Sequence, residues 1–422
     1  MQTNNKIIYR CYICNQIVFS LFNFGYQPLV HKYTHYIHEK QNYWPLHVCY
    51  CQNCFHVQLN YSYNTEMIPF GTEMIPFGTE PVWCHPYLSK NSKEFSNELR
   101  DFALGRYLEN DAGKETLSIL HIHANEVACN NLLGSFLEDY SYFNLFDIHI
   151  TDLDCEDGTL LANAGRGKGT VPFAGPFDII IVQDVLECIE YPHAFLKMCK
   201  NMMDTNSILI IETKGKDMVV NKNYNHLSHM ILSYFSVNSM KILCQRNDLV
   251  LNFITETEQT YLFEIRKENT TDTNMIKFML NDLERNVYST ELYYTFYISV
   301  IMHKNNFHNK LLEYNLQQKY IVGYCHNFRA NILLNMCYDV YMGSYINCIV
   351  DNESRCNGFT YGTNIPIIKC MKNLFMKKEN IVVIVFDDNA YVDLVKETRN
   401  LVESGIQLVL LNAFTLHEEV IN

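Results

Sequence analysis

Cys11-Tyr-Ile-Cys14 and Cys51-Gln-Asn-Cys54 are two C-x2-C pairs near the start of the chain. Each such turn brings two thiolates to one point. Two turns together supply the four sulfurs, about 2.3 Å from the ion, that tetrahedral zinc takes. Residues 15–50 lie between the pairs, more than a compact ribbon uses, so this stretch must loop out and rejoin. With all four positions filled by protein, such an ion has no open coordination position for catalysis and serves to hold the fold. Cys49 stands on the wrong side of its knuckle and reads as a spare thiol. His47 and His56 are substitute ligands, and four reduced, buried thiols without an ion are the alternative.

A knuckle pair needs a body to rest on, and 422 residues suffice for two or three domains. After a helix expected over Ser92 to Leu108, apolar runs at Leu117 to Ile122, Phe146 to Ile150, Phe177 to Val182 and Ile208 to Ile211 alternate with helical stretches near Glu126 to Glu138 and Pro192 to Met203. Phe177-Asp-Ile-Ile-Ile-Val182 has the continuous apolarity of a strand covered on both faces of a parallel sheet. Leu249 to Ile254 and Thr260 to Ile265 read as an antiparallel pair closing that sheet. The polar run Lys267 to Asn274 marks a boundary. A helical region, about Met275 to Gln318, then leads to strands at Tyr320 to Tyr324, Tyr345 to Val350, Ile381 to Phe386 and Ile406 to Leu411. Helices near Phe328 to Met336 and Tyr391 to Glu403 separate them. The expected class is α/β, with a doubly wound sheet in the middle and another α/β sheet in the second half, and the expected domains are 1–90, 91–270 and 271–422.

Hydrophobic residues make up 48% of the chain and charged residues 19%, a globular balance. Lys and Arg number 33 against 46 Asp and Glu, a net charge of −13, which argues against a partner held by its phosphate backbone. Sixteen cysteines are too dilute for a disulfide scaffold. The first ten residues lack the order of a signal peptide, and no run of 18 apolar residues occurs. The expectation is a protein with reduced thiols in the cytoplasm, without nucleic acid or membrane partners. Thr65-Glu-Met-Ile-Pro-Phe-Gly71 recurs at once as Thr72 to Gly78, too few copies for a solenoid, and is read as a lengthened surface loop.

Several motifs occur in an order that resembles the sugar C-methyltransferases acting on nucleotide-linked deoxysugars. Gly25-Tyr-Gln-Pro-Leu29, Pro45-Leu46 and Cys51-x2-Cys54-x2-Val57-Gln-Leu59 are similar to that family's zinc-binding N-terminus. Asp184-Val-Leu-Glu-Cys188-Ile189 and Leu232-Ser-Tyr-Phe-Ser236 are similar to its N-V-L-E-H-I and L-S-Y-F-S. Val322-Gly-Tyr324, Asn331-Ile-Leu-Leu-Asn335, Val350-Asp-Asn352 and Gly362-Thr-Asn-Ile-Pro366-Ile367 resemble its C-terminal motifs. The resemblance implies a zinc-knuckle module, a Rossmann-like methyltransferase domain and a second, C-terminal Rossmann-like domain for a nucleotide sugar.

The implied chemistry is removal of a proton beside a sugar ketone by a base, followed by attack of the enolate on the methyl of S-adenosylmethionine. That requires a glycine-rich turn, a general base and a sugar-nucleotide pocket. Where the family has its glycine turn, this chain has His121-Ile-His123-Ala-Asn-Glu126. Asp152 or Asp154 is implied at the cofactor ribose and Asp184 near the adenine or the methyl centre, with a solvated loop charge as the other reading of each. For the base, the segment Tyr224-Asn225-His226-Leu227-Ser228 matches H-E-H-L-S and puts forward His226, while an ungapped register puts forward His229. Asn225 carries no charge to steady an imidazolium. Tyr87 falls near a tyrosine placed over the substrate. Gly323, Arg329 and Asn331 fall around the sugar-nucleotide cleft, with Arg329 as a bidentate phosphate contact. A protein that keeps the zinc module and sugar cleft but has lost cofactor binding is the alternative.

Overall fold

The computed structural model describes residues 9–28, 33–37, 43–60, 92–109, 114–123, 131–132, 135–136, 143–149, 176–189, 191–214, 218–222, 224, 227–229, 231–256, 260–268, 274–325, 328–337, 345–351, 358–360, 362–368, 380–387, 391, 394–395, 398 and 407–421. Its elements begin with β1 (Val18–Pro28), β2 (Tyr33–Thr34), β3 (Tyr43–Cys51), β4 (Val57–Leu59) and helix α1 (Ser92–Leu108). There follow β5 (Leu117–His123), β6 (Phe143–His149), β7 (Phe177–Gln183), α2 (Pro192–Asn201), β8 (Met203–Lys214), β9 (Ser233–Tyr234), α3 (Val237–Arg246), β10 (Val250–Glu256) and β11 (Thr260–Arg266). The chain continues through α4 (Met275–Glu284), α5 (Thr290–Leu316), β12 (Tyr320–Tyr324), α6 (Phe328–Cys337), β13 (Cys348–Val350), β14 (Gly358–Thr360), β15 (Pro366–Ile368), β16 (Asn380–Val385), β17 (Gln407–Asn412) and β18 (Glu418–Ile421).

The chain divides into two compact units, one of residues 1–21, 48–221 and 230–293, the other of residues 22–47, 222–229 and 294–422. The first contains a six-stranded sheet in the order β10-β11-β8-β7-β5-β6. Its strands β6, β5, β7 and β8 are parallel, and β11 runs antiparallel to both β8 and β10. All seven residues of β7 are buried, as a strand covered by helices on both faces must be. Successive side chains alternate between the faces. Leu117 and Ile119 pack with Leu99, Ala103 and Tyr107 of α1, whereas Leu120 and Ile122 pack with Phe195 of α2 and Met240 and Leu243 of α3. Cys11, Cys14, Cys51 and Cys54 belong to that second cluster, so the knuckles share a core with the sheet.

Two local devices set the helices on that face. Pro192 opens α2 at a position where its missing N–H costs nothing. At the start of α3 a capping box closes the helix, with Ser236 Oγ accepting from Ser239 N and Ser239 Oγ from Ser236 N. On the opposite face of the sheet, the fully buried Glu264 accepts from Arg106 Nε and Arg266 Nε, each at 2.5 Å, and from Asn252 Nδ2 at 3.1 Å.

The second unit contains an eight-stranded sheet in the order β18-β17-β16-β12-β13-β15-β14-β2. β17, β16, β12, β13 and β15 are parallel, and antiparallel β18, β14 and β2 finish its margins. The fold is therefore α/β with an N-terminal cysteine knuckle and two Rossmann-like sheets, as the sequence implied. Sequence periodicity did not point to β2, β14, β15 or β18, because strands of two to four residues carry too few alternations to detect. The strand expected from Tyr345 begins at Cys348. Tyr345 and Ile346 precede it, and Asn347 bonds its N–H to Ile321 O at 2.9 Å.

Candidate functional site

The two knuckles are built alike. In each, the N–H of the first cysteine is bonded to the carbonyl five residues on, Cys11 to Gln16 and Cys51 to His56, and its own carbonyl accepts from the residue four on, Asn15 and Phe55. That fourth residue turns into the left-handed region, with φ 59° at Asn15 and 57° at Phe55. The turns bring Cys11 Sγ to 3.5 Å from Cys54 Sγ and Cys14 Sγ to 3.4 Å from Cys51 Sγ. All four sulfurs lie within 4.8 Å of one another, and all four residues are buried.

A tetrahedral sulfur shell with 2.3 Å bonds has edges of about 3.8 Å, so the quartet fits zinc closely. Its chemistry fits too. Hydrogen bonds within the quartet, from Cys11 first and then Cys54, hold the Cys51 thiol far below the ordinary range, while hydrogen bonding pushes Cys11 and Cys54 well above it. Crowded, buried sulfurs that cannot all ionise alone are what a dication stabilises. Cys49 is buried outside the quartet, and His56 is bonded instead to Ser233 Oγ at 3.2 Å.

Three polar residues brace the knuckles. Gln58 accepts from Tyr12 N at 2.9 Å and donates to Arg10 O at 3.0 Å. Asn238 donates to Cys54 O at 3.2 Å. His193 Nε2 lies 2.9 Å from Ile13 O and Nδ1 lies 3.0 Å from Asn247 Nδ2, so the tautomer with its proton on Nε2 satisfies both contacts. Gln58 sits within the V-Q-L motif, but nothing in the sequence marks His193.

A second candidate is the carboxyl edge of the six-stranded sheet, where β5 has β6 on one side and β7 on the other. Open α/β sheets bind ligands at such a switch point. His121 and His123 are both buried on the face that carries Ile119 and Ile181, with rings 5.1 Å apart. His121 Nε2 lies 3.2 Å from Gln183 Oε1. His123 pairs with Gln183 across β5 and β7, and Val182 pairs with Ile211, so Glu212 is next in register. One cross-strand row thus holds His123, Gln183 and Glu212. Burial first, then the charge of His123, pushes the His121 imidazole down to about 3, against the opposing pull of Gln183 and Asp184.

Asp184 directly follows β7, with φ 58°, and is 2% exposed, which corrects the solvated-loop reading of this residue. Its carboxylate, with Gln183 beside it, suits the hydroxyl and ammonium groups of S-adenosylmethionine. The His121 Nδ1 atom is buried without a hydrogen-bond partner, a further polar group at this edge.

In the second unit, Gly323 lies in β12. A Cβ there would stand 2.9 Å from Ile349 Cγ1 and 3.0 Å from Phe386 Cε2, so packing of the sheet itself requires glycine at this position. Asn331 is buried in α6 and its Oδ1 accepts from Asn335 Nδ2 at 3.0 Å. Arg329 lies in the same helix, its side chain outside the described residues. His229 is 2% exposed and belongs to the second unit. Tyr87, Asp152, Asp154, His226 and the duplicated loop lie outside the described residues. No described helix is long and apolar enough to cross a membrane.

No curated protein matches the sequence. Similar solved structures include the plantazolicin methyltransferase BpumL in complex with SAH, at 11% identity and a TM-score of 0.31 over 42% of this chain and 86% of that one. The CurJ carbon methyltransferase is 14% identical with a TM-score of 0.30, over 43% and 57% of the two chains. The DszA carbon methyltransferase is 12% identical with a TM-score of 0.32, over 43% and 56%. Values this low make these a likeness and nothing more. Residues 11–68 match the family model described as "Putative zinc binding domain", and residues 259–411 match the one described as "C-methyltransferase C-terminal domain". By these matches residues 11–68 are similar to a zinc-binding domain and residues 259–411 to the C-terminal domain of C-methyltransferases.

Proposed function

We propose that the protein is an S-adenosylmethionine-dependent methyltransferase acting on a nucleotide-activated deoxysugar, at carbon or at oxygen. The observation that carries this reading is the C-methyltransferase C-terminal match over residues 259–411, in one chain with a doubly wound sheet whose switch point is lined by buried polar groups. The division 1–90, 91–270 and 271–422 is the functional one in this reading: knuckle, cofactor domain and sugar-nucleotide domain.

When bound, S-adenosylmethionine supplies an electrophilic methyl group. Asp184 accepts hydrogen bonds from its hydroxyl or ammonium groups, with Asp152 or Asp154 assigned to the ribose. His226 or His229 removes the proton from the acceptor, and Tyr87 stands over the sugar. In the second unit Arg329 meets a phosphate, with Gly323 and Asn331 beside it. Oxygen acceptors fit the His226 register, where Asn225 stands in place of a carboxylate, since a hydroxyl asks less of the base. The quartet of cysteines holds zinc for structure alone.

One observation favours a second reading, a catalytically inactive protein that binds a sugar nucleotide. His121 and His123 are buried where the glycine turn would let the backbone approach the cofactor. Calorimetry separates the two. The first reading expects binding of S-adenosylmethionine or S-adenosylhomocysteine at micromolar to millimolar ligand. Binding of a sugar nucleotide with no cofactor binding would sink it and leave the second.

A further inference from the structure

Helix α4 of the first unit is apolar on two faces. Met275, Phe278 and Met279 are partly buried against the core that also holds Met240 and Leu243 of α3 and the knuckle cysteines. Ile276, Leu280 and Leu283 are instead 66%, 55% and 60% exposed. Their spacing, i, i+4 and i+7, puts all three in one stripe along the helix. Single exposed apolar side chains need no cause, but a helix apolar on both sides is one that is covered on both.

The charges beside that stripe are Lys277 and Glu284, both exposed. Each comes one residue after a member of the stripe, so the two lie two turns apart on the same flank. Among the described residues neither side chain has an ionic partner. Within α4 they stand at the wrong ends. The first turn holds no acidic residue and the last no basic one, so Lys277 meets the positive end of the helix dipole and Glu284 the negative end. An antiparallel helix laid on the stripe reverses both relations, bringing its own negative end to Lys277 and its positive end to Glu284.

We propose that α4 pairs with α4 of a second copy of this chain, antiparallel about a two-fold axis between positions 280 and 281. At a rise of about 1.5 Å per residue, that axis sets Leu280 beside its counterpart and Ile276 beside Leu283 of the other copy. Lys277 then stands level with Glu284 of the other copy, on the same side of the stripe, and the contact occurs twice. The surface is its own complement, as a two-fold interface requires. A pair of ten-residue helices buries less than a standard interface, so the dimer is a weak one, with a dissociation constant in the micromolar range. This proposal does not depend on the methyltransferase reading.

The test is sedimentation equilibrium on the full chain from about 1 to about 300 µM. The native chain should pass from monomer to dimer over that range, and Leu280→Asp should stay monomeric. Lys277→Glu and Glu284→Lys should each dimerise about fivefold more weakly or worse, because each sets like charges face to face. An equimolar mixture of those two variants should dimerise about as well as the native chain, since opposite charges then meet at both ends. All three positions are exposed, so the variants keep the fold, and circular dichroism checks it. A native chain monomeric throughout, a dimer that Leu280→Asp leaves intact, or a mixture no tighter than either variant alone overturns the proposal.

Discussion

Asn335 holds its side-chain oxygen where any residue but glycine at position 362 would place a carbon: a Cβ on Gly362 would lie 1.9 Å from Asn335 Oδ1. Gly362 also has φ +93°, in the region that side chains avoid. The same Asn335 amide is bonded to Asn331 O and Oδ1. Asn331 and Asn335 of one motif thus meet Gly362 of another, where α6 packs against the loop before β15.

Gly362→Ala should therefore destabilise the protein by about 2 to 3 kcal/mol, from steric overlap plus a disfavoured backbone. Urea unfolding reads this directly. Asn335→Ala in the same background should recover part of the loss by removing the clash, and no recovery would show that the backbone alone sets the cost.

Elemental analysis should find about one zinc per chain, and a chelator should lower the melting temperature, because the four ligands belong to the apolar core of the sheet. A Cys11→Ser, Cys54→Ser double variant that keeps its full zinc would contradict the assignment.

Glu264→Gln should cost about 3 to 5 kcal/mol, since it strips the charge facing two buried guanidinium groups. Adding Arg266→Met should return part of that loss. Denaturant midpoints of the single and double variants give the coupling.

The pH dependence of stability follows from His121. Its folded value, about 3, lies below the ordinary 6.5. Above pH 6.5 neither state binds the proton. Between 6.5 and 3 the unfolded chain takes it up and the folded one does not, so stability falls on acidification by up to about 1.4 kcal/mol per pH unit from this group. His121→Gln should flatten urea midpoints measured from pH 7 down to pH 4. An unchanged slope would show that other groups govern the acid limb.

The sequence by itself determined what is local. Two C-x2-C turns announce a four-sulfur site because ligand type and spacing are enough to close each half. β7 and β16 were legible because a strand covered on both faces must be apolar throughout. Ser92 to Leu108 was found residue for residue as α1. The tertiary structure alone decided the rest. Whether Asp184 faces water or the interior depends on what packs over the end of β7. The row of His123, Gln183 and Glu212 exists only through the register of three strands far apart in the chain. Asn335 meets Gly362 through long-range packing that no spacing rule encodes, because that distance is set by how whole elements fill space.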